Sequence, residues 1–258
     1  MIRFAAPAFA PVLAPALTAL ALMTAPAGAT DLTDMSDSEN AAFGAAVRAY
    51  LLDNPEVIFE AVELFKQRQA QLEANADIQL VADNAEAIFN DGYSWIGGNP
   101  DGDVTLVEFM DYRCGYCRRA VPEIAKLMQA DGNIRLIIKE MPILGEASVL
   151  SSRFAVATKQ IAGDDAYKQV HDALLEISSD ISDVVLRRLS DGLGLDTDAI
   201  MARMDSDEVT AELAATRDLA QKMNISGTPT FVLGSELLRG FLPADQLELI
   251  VADQRDKS

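Results

Sequence analysis

The feature that most constrains this chain is a pair of cysteines, Cys114 and Cys117, set between two apolar, strand-like segments. The first segment, at 104–110, is rich in β-branched and aromatic residues, as buried strands are. A stretch with helical character begins at the cysteines and runs to Ala130, and a second apolar run follows at 134–139. Strand, helix and strand at this spacing predict a βαβ unit with two parallel strands, so the predicted fold class is α/β.

A helical segment is predicted before this unit, from Asp31 to about Asp91. The triplet Asn54-Pro55-Glu56 is a helix start signal, with a side-chain cap, a proline and an acid in the first turn. Behind it, mostly apolar residues recur at alternating steps of four and three: Ile58, Val62, Phe65, Gln69 and Leu72. This thin segment has too little apolar surface to fold alone. Two interpretations remain open, a lead-in that packs on the main domain and an oligomerisation stalk.

A second helical region, at about 147–224, follows the βαβ unit. Its predicted breaks lie near Gly163, 178–183, 192–196 and 205–207. The segment Gly227-Thr228-Pro229-Thr230 then opens a further strand, which has a hairpin partner at Leu237 to Gly240, and a last helix begins near Pro243. The glycine-rich turn at 97–103 marks a boundary. We therefore predict a helical module at 30–92 and a catalytic domain at 93–258 with a helical insert at about 147–224.

The first 29 residues have the layout of a secretory signal peptide. One cation, Arg3, precedes an Ala/Leu-rich run that ends in Ala27-Gly28-Ala29, an A-x-A cleavage pattern. An uncleaved anchor is the alternative, but three interior prolines shorten the usable helix below the roughly 20 apolar residues of a membrane span. We therefore expect cleavage after Ala29 and an exported, soluble protein.

The charge of the chain excludes one class of partner. Its 40 acidic and 21 basic residues give a formal net charge of -19. Because an acidic surface repels phosphate backbones, we expect no binding to nucleic acid.

The two cysteines are the only ones in the sequence, and they close a very short loop. Such a loop constrains little of the unfolded chain, so a structural disulfide is a poor explanation for the pair. Zinc takes about four Cys or His ligands, and the only further candidate is His171. Redox chemistry is the favoured interpretation, with no metal and no cofactor.

The spacing assigns different roles to the two thiols. Cys114 falls at the N-terminus of the predicted helix, where free N–H groups and the helix dipole stabilise a thiolate. Cys117, one turn later, is then the shielded, resolving thiol. Three arginines, at 113, 118 and 119, add positive charge to this region, either beside the thiolate or as solvated helix residues.

Glu108 is the next candidate, since an acid inside an apolar strand loses its hydration and its pKa should rise. It precedes Cys114 by six residues, in position to exchange a proton with Cys117. Exposure at a strand edge is the alternative. His171 is expected at the surface or core edge of the insert, without a catalytic role.

Several of these segments resemble a known family. Val107-Glu108-Phe109 and the run from Asp111 to Cys117 are similar to the active-site segment of thioredoxin-fold Dsb proteins. The segment from Gly227 to Phe231 is similar to the cis-proline loop of that superfamily. The runs Lys-Glu-Met-Pro-Ile-Leu-Gly at 139–145 and Tyr-Leu-Leu-Asp-Asn-Pro-Glu at 50–56 narrow the resemblance to DsbA-like proteins of the ScsC and Com1 type.

This resemblance implies a thioredoxin fold with an α-helical insertion and an N-terminal helical module that forms homo-oligomers, trimers in some relatives. It implies that Pro229 is cis and faces Cys114, and that the Thr228 backbone pairs with client chains beside Gly115 and Tyr116. The Gly-Tyr pair between the cysteines is shared with the disulfide isomerase DsbC, whereas DsbA carries Pro-His there. The sequence therefore lacks the dipeptide that the strongly oxidising DsbA carries between its cysteines.

The function expected from this resemblance is a periplasmic thiol–disulfide oxidoreductase that acts as an isomerase or reductase. Its partners would be unfolded or misoxidised exported proteins and a membrane-bound redox partner that keeps Cys114 reduced. A DsbA-like dithiol oxidase and a non-enzymatic copper-binding or chaperone protein are the two alternatives.

Overall fold

The computed structural model describes residues 35–257, which divide into two compact units, 35–61 and 62–257. The predicted signal peptide, residues 1–29, lies outside the described residues. Between residues 35 and 257, no helix is both long enough and apolar enough to cross a membrane.

The first unit contains helix α1, Asp37–Asp53, and the start of helix α2, Glu56–Asp83. A capping box starts α1: the Ser36 hydroxyl accepts from the amide of Glu39, whose carboxylate accepts from the Ser36 amide at 2.9 Å. No residue of α1 is buried. The predicted start signal is confirmed, because α2 begins at Glu56.

The second unit is built on a five-stranded sheet in the order β1-β3-β2-β4-β5. Strands β2 and β3 are parallel and the other neighbours are antiparallel. The strands are Trp95–Gly98, Val104–Met110, Ile134–Glu140, Thr230–Leu233 and Glu236–Arg239. Helix α4, Gly115–Ala130, connects β2 to β3. The predicted βαβ unit and C-terminal hairpin are thereby confirmed.

Strand β1 was not predicted, because two of its four residues are glycines in a segment interpreted as a turn. Gly97 is required there by close packing: a Cβ at this position would lie 2.0 Å from Cη2 of Trp95. The indole of Trp95 instead stacks on the Tyr167 ring at 5.9 Å, and its Nε1 donates to the Asp164 carbonyl at 3.2 Å. The strand thus ties one edge of the sheet to the helical insert.

The insert contains five helices, and its breaks fall where they were predicted. They are α5 to α9, Glu146–Ala162, Asp164–Glu176, Asp183–Gly192, Thr197–Arg203 and Asp207–Lys222. Helix α3, Ala85–Phe89, precedes the sheet, and α10, Ala244–Asp256, follows it.

Each face of the sheet packs into its own apolar core. Leu106 and Met110 pack on one side, together with α4, α10 and most of the insert. Val107 and Phe109 pack on the other side, together with α3 and the end of α9. Since side chains alternate along a strand, Glu108 shares the first face, which α4 covers.

Candidate active site

Cys114 is the N-cap of α4. Its Sγ accepts from the amide of Cys117 at 3.4 Å, so a free amide of the first turn points at this sulfur. The helix docks on the sheet through residues that recur at three- and four-residue steps: Cys117, Ala120, Ile124 and Leu127. This docking places the start of α4 at the end of β2. Both cysteines are free thiols.

The second cysteine is more deeply buried than the first. Cys117 is 1 % exposed and Cys114 is 6 % exposed. Burial raises the pKa of the Cys117 thiol strongly, and the negative charge of Glu108 raises it further. Cys117 therefore needs a proton acceptor nearby before it can act as a nucleophile.

The loop before β4 meets the start of α4. Strand β4 runs antiparallel to β2, with Thr230 opposite Phe109, so the beginning of β4 adjoins the end of β2. The Thr228–Pro229 peptide bond in this loop is cis. The thiol of Cys114 donates to the Thr228 carbonyl at 3.1 Å. Two segments more than a hundred residues apart are thus joined at the sulfur atom.

Glu108 lies in a central strand, paired with Ile138 on one side and Phe231 on the other. It is buried, not at an exposed sheet edge. The pKa of Glu108 is raised to about 8, mainly by burial and to a smaller extent by the negative charge of Glu140. A carboxyl group with this pKa can take up and release a proton near neutral pH.

Gly115 and Tyr116, between the cysteines, are exposed at the start of α4. The Tyr116 ring lies against the guanidinium group of Arg119, whose Cζ is 4.4 Å from the ring centre. The same Cζ lies 5.1 Å from the ring centre of Phe241. The result is an exposed aromatic and cationic surface beside Cys114.

The other two arginines near the cysteines bind backbone carbonyls. Arg113 donates to Ile177 at 3.3 Å and to Ser179 at 3.0 Å, just after α6. Arg118 donates to the carbonyls of Tyr112 at 3.0 Å and Ile177 at 2.8 Å. Their guanidinium groups thus fasten the active-site segment to the insert.

Asp111 holds a second loop against the same segment. Its carboxylate accepts from the amides of Arg113, Ile143 and Leu144 at 2.7 to 3.0 Å and from the Ser148 hydroxyl at 2.8 Å. The residue is completely buried. The 143–144 loop is therefore fixed next to the cysteine-bearing turn.

A buried polar cluster around Glu140 was not identified from the sequence. Its carboxylate accepts from the hydroxyl groups of Tyr112, Tyr167 and Ser152 at 2.6 to 2.7 Å. His171 Nδ1 lies 3.1 Å from the Tyr112 hydroxyl, so His171 is inside the core and not at its surface or edge. The available signal was weak, because Glu140 directly follows the apolar run at 134–139, where an acid is unremarkable.

Comparison with known proteins identifies the family. Residues 105–252, more than half of the chain, match the family described as the DSBA-like thioredoxin domain. The chain belongs to this family. Residues 39–71 match the N-terminal domain of the copper resistance protein ScsC. The predicted thioredoxin fold and the resemblance to ScsC-type DsbA-like proteins are confirmed, and this family is one of thiol–disulfide oxidoreductases.

Solved structures agree with this assignment. A thioredoxin-like oxidoreductase from Silicibacter pomeroyi is 41 % identical, with 67 % of this chain and 98 % of that chain covered and a TM-score of 0.62. Proteus mirabilis ScsC in a transitional conformation is 27 % identical, with 87 % of this chain and 100 % of that chain covered and a TM-score of 0.63.

Curated relatives match a little more than half of the chain. Disulfide bond formation protein D of Bacillus subtilis is 26 % identical over 163 residues, 58 % of this chain and 72 % of that protein. A Na⁺/H⁺ antiporter NhaA of Salinispora tropica is 27 % identical over 145 residues, 56 % of this chain. The chain spans only 22 to 24 % of the length of the first antiporter relatives it matches.

Proposed function

We propose that this protein is an exported disulfide isomerase or reductase that acts on protein clients through Cys114 and Cys117. One observation carries the proposal: Cys114 lies at a helix N-terminus, with its sulfur between the Cys117 amide and the Thr228 carbonyl. An amide donor and a helix dipole at the sulfur stabilise the thiolate, which is the nucleophile in thiol–disulfide exchange.

The proposed reaction uses only the thiols and one carboxyl group. The Cys114 thiolate attacks a client disulfide, forms a mixed disulfide and releases one client sulfur as a thiolate. A client thiolate that attacks the mixed disulfide at the client's own sulfur completes isomerisation. Attack by Cys117 at Cys114 instead forms the Cys114–Cys117 disulfide and releases the reduced client. Glu108 takes the Cys117 proton in that step.

Client chains would bind along the loop before β4. The Thr228 backbone, beside Pro229, offers pairing groups for an extended chain next to the reactive sulfur. Gly115 leaves room for the close approach of a client backbone, and Tyr116 offers an exposed ring to apolar client side chains. These four residues form the proposed substrate-binding surface.

The N-terminal helical module, for which we propose the range 30–92, would form the homo-oligomer. Its helices leave large apolar side chains in water, including Phe43, Tyr50, Phe59, Phe65 and Leu72. Burial of these residues against further copies of the chain would bring several active sites around one client. The match to the ScsC N-terminal domain over 39–71 supports this assignment.

Export to the periplasm, after removal of residues 1–29, and reduction by a membrane-bound partner complete the proposal. A disulfide isomerase works only while its nucleophilic cysteine is reduced. The periplasm is oxidising, so a reductant has to be supplied from the membrane.

Reactivation of scrambled, wrongly disulfide-bonded ribonuclease tests the proposal, with the mature protein as catalyst and Cys114→Ser as the blank. We expect reactivation that depends on Cys114. Fast oxidation of reduced ribonuclease without reactivation would overturn the proposal in favour of a DsbA-like oxidase. Inactivity in both assays would overturn it in favour of a copper-binding or chaperone protein.

A further inference from the structure

Glu140 is a buried carboxylate with an unusually complete set of donors. Tyr112 and Tyr167 both donate to its Oε1, at 2.6 and 2.7 Å, and Ser152 donates to its Oε2 at 2.7 Å. These donors come from the active-site turn, α6 and α5, so tertiary packing fixes all three. Hydrogen bonds of this kind favour the ionised form of a carboxyl group.

Glu108 has a different environment on the same face of the sheet. Its Cα partner in β3 is Ile138, two residues before Glu140, so the two carboxyl groups lie on adjacent strands and point into the same core. Within residues 35–257, no group donates a hydrogen bond to the Glu108 carboxylate, in contrast to the three donors of Glu140. Cys117 is close enough for the charge of Glu108 to influence it.

We propose that Glu140 is a positioning residue that keeps one exchangeable proton on Glu108, beside Cys117. Two carboxyl groups in one buried space do not readily ionise together, so the pair holds a proton between them. The partner with three donors keeps the negative charge and the partner without donors keeps the proton. The inference deepens the proposed function, because it concerns the proton that Glu108 exchanges with Cys117.

The proton has a defined use when the active-site disulfide is reduced. A thiolate of a client or of the redox partner attacks Sγ of Cys114 and forms a new sulfur–sulfur bond. The Cys114–Cys117 bond breaks, and Cys117 leaves with the electron pair. Glu108 donates its proton to that sulfur, and the reverse step returns the proton to Glu108. After this donation Glu108 is a carboxylate beside the charged Glu140, so it readily takes up a proton again, from Cys117 in the reverse step or from solvent. Glu140 does not touch the reacting atoms.

The remaining titratable groups around the pair are compatible with this arrangement. Burial raises the pKa of Glu140 to about 7, and its three hydroxyl donors oppose that rise, whereas no group in the described part of the chain opposes the rise for Glu108. Burial lowers the pKa of His171 to about 4, so this ring is neutral near pH 7. Other titratable groups either face Glu108 and Glu140 or line a cavity that Glu140 also lines. They are Tyr93, Asp111, Tyr112, Cys117, Lys159, Tyr167, His171 and Glu212.

The test is a ¹³C NMR titration of the reduced mature protein carrying carboxyl-labelled glutamate, with the Glu108 signal assigned from Glu108→Gln. We expect the Glu108 midpoint in Glu140→Gln to fall by about one pH unit or more, because a like charge has been removed. Glu212→Gln is the control, since Glu212 lines the same cavity as Glu140 but lies outside its hydrogen-bond cluster. It should leave the Glu108 midpoint unchanged.

A second variant covers the case in which Glu140→Gln fails to fold. Tyr167→Phe removes one donor and retains the carboxylate, so the Glu140 midpoint should rise and the Glu108 midpoint should fall. An unchanged Glu108 midpoint in a folded Glu140→Gln or Tyr167→Phe protein, or an equal shift in Glu212→Gln, overturns the inference. The titration does not depend on ribonuclease reactivation, so failure of the isomerase proposal is recognised separately.

Discussion

The sulfur of Cys114 lies 3.1 Å from the carbonyl oxygen of Thr228, although the two residues are 114 positions apart in sequence. The contact depends on the pairing of β2 with β4, which places the end of one strand beside the start of the other. It orients the thiol towards the loop that we assign to client binding. Attack on a client disulfide would therefore take place on that side of the sulfur.

The difference in burial between the two cysteines predicts a trapped intermediate. In Cys117→Ser, Cys114 can still attack a client, but the buried thiol that resolves the mixed disulfide is missing. We expect a disulfide-linked adduct with reducible clients on non-reducing gels. Cys114→Ser should form none, and equal adduct yields from the two variants would contradict the assigned roles.

The raised pKa of Glu108 predicts a stability effect with a defined sign. The folded protein holds the Glu108 proton up to about pH 8, whereas the ordinary glutamate value is 4.5, so the folded state binds more protons between these values. The stability that protonated Glu108 contributes is fully present below pH 4.5 and is lost as the pH rises through about 8. Wild type loses this stability between about pH 5 and about pH 9, whereas Glu108→Gln does not. The unfolding free energy of Glu108→Gln minus that of wild type should therefore rise by on the order of 3 kcal/mol across this range.

Urea unfolding at a series of pH values measures this gain. Glu248→Gln, at an exposed position on α10, serves as the control and should follow the wild-type curve. A Glu108→Gln curve parallel to wild type across the range would show that Glu108 is not held protonated in the folded state.

The hydrogen bonds of Arg118 predict a structural role. In Arg118→Ala the carbonyls of Tyr112 and Ile177 lose a charged donor, and the active-site turn loses a link to the insert. The unfolding free energy should fall by roughly 1 to 3 kcal/mol. Arg119→Ala is the matched control, because Arg119 is exposed and packs on ring faces. Equal losses of unfolding free energy in Arg118→Ala and Arg119→Ala would refute the structural role of Arg118.

The exposed apolar residues of the N-terminal helices predict a change in assembly. Phe59 is 72 % exposed, and a charge at this position would prevent burial against another copy. Phe59→Asp should therefore sediment as a smaller species than wild type, while Gln71→Asp, at an exposed polar position of the same helix, should not. A wild-type protein that sediments as a monomer would end the oligomer proposal.

The sequence was informative where a residue conflicts with its local pattern. Glu108 interrupts an apolar strand, so its burial could be predicted. Glu140 stands at the end of such a strand, where an acid is unremarkable, and its three donors lie 12 to 28 residues away. Strand β1 escaped prediction for a related reason: its pairing partner, not its own composition, makes it a strand.

The donors of Glu140 have a consequence for protein engineering. Two of the three hydroxyl groups, Ser152 and Tyr167, belong to the insert, while Glu140 belongs to the sheet. Removing the insert to obtain a minimal domain would take two of the three donors from the Glu140 carboxylate and would uncover the apolar core that the insert shares with the sheet. A chimera with an insert from another protein would have to carry the serine and the tyrosine with it. The insert and the sheet therefore have to be transplanted together.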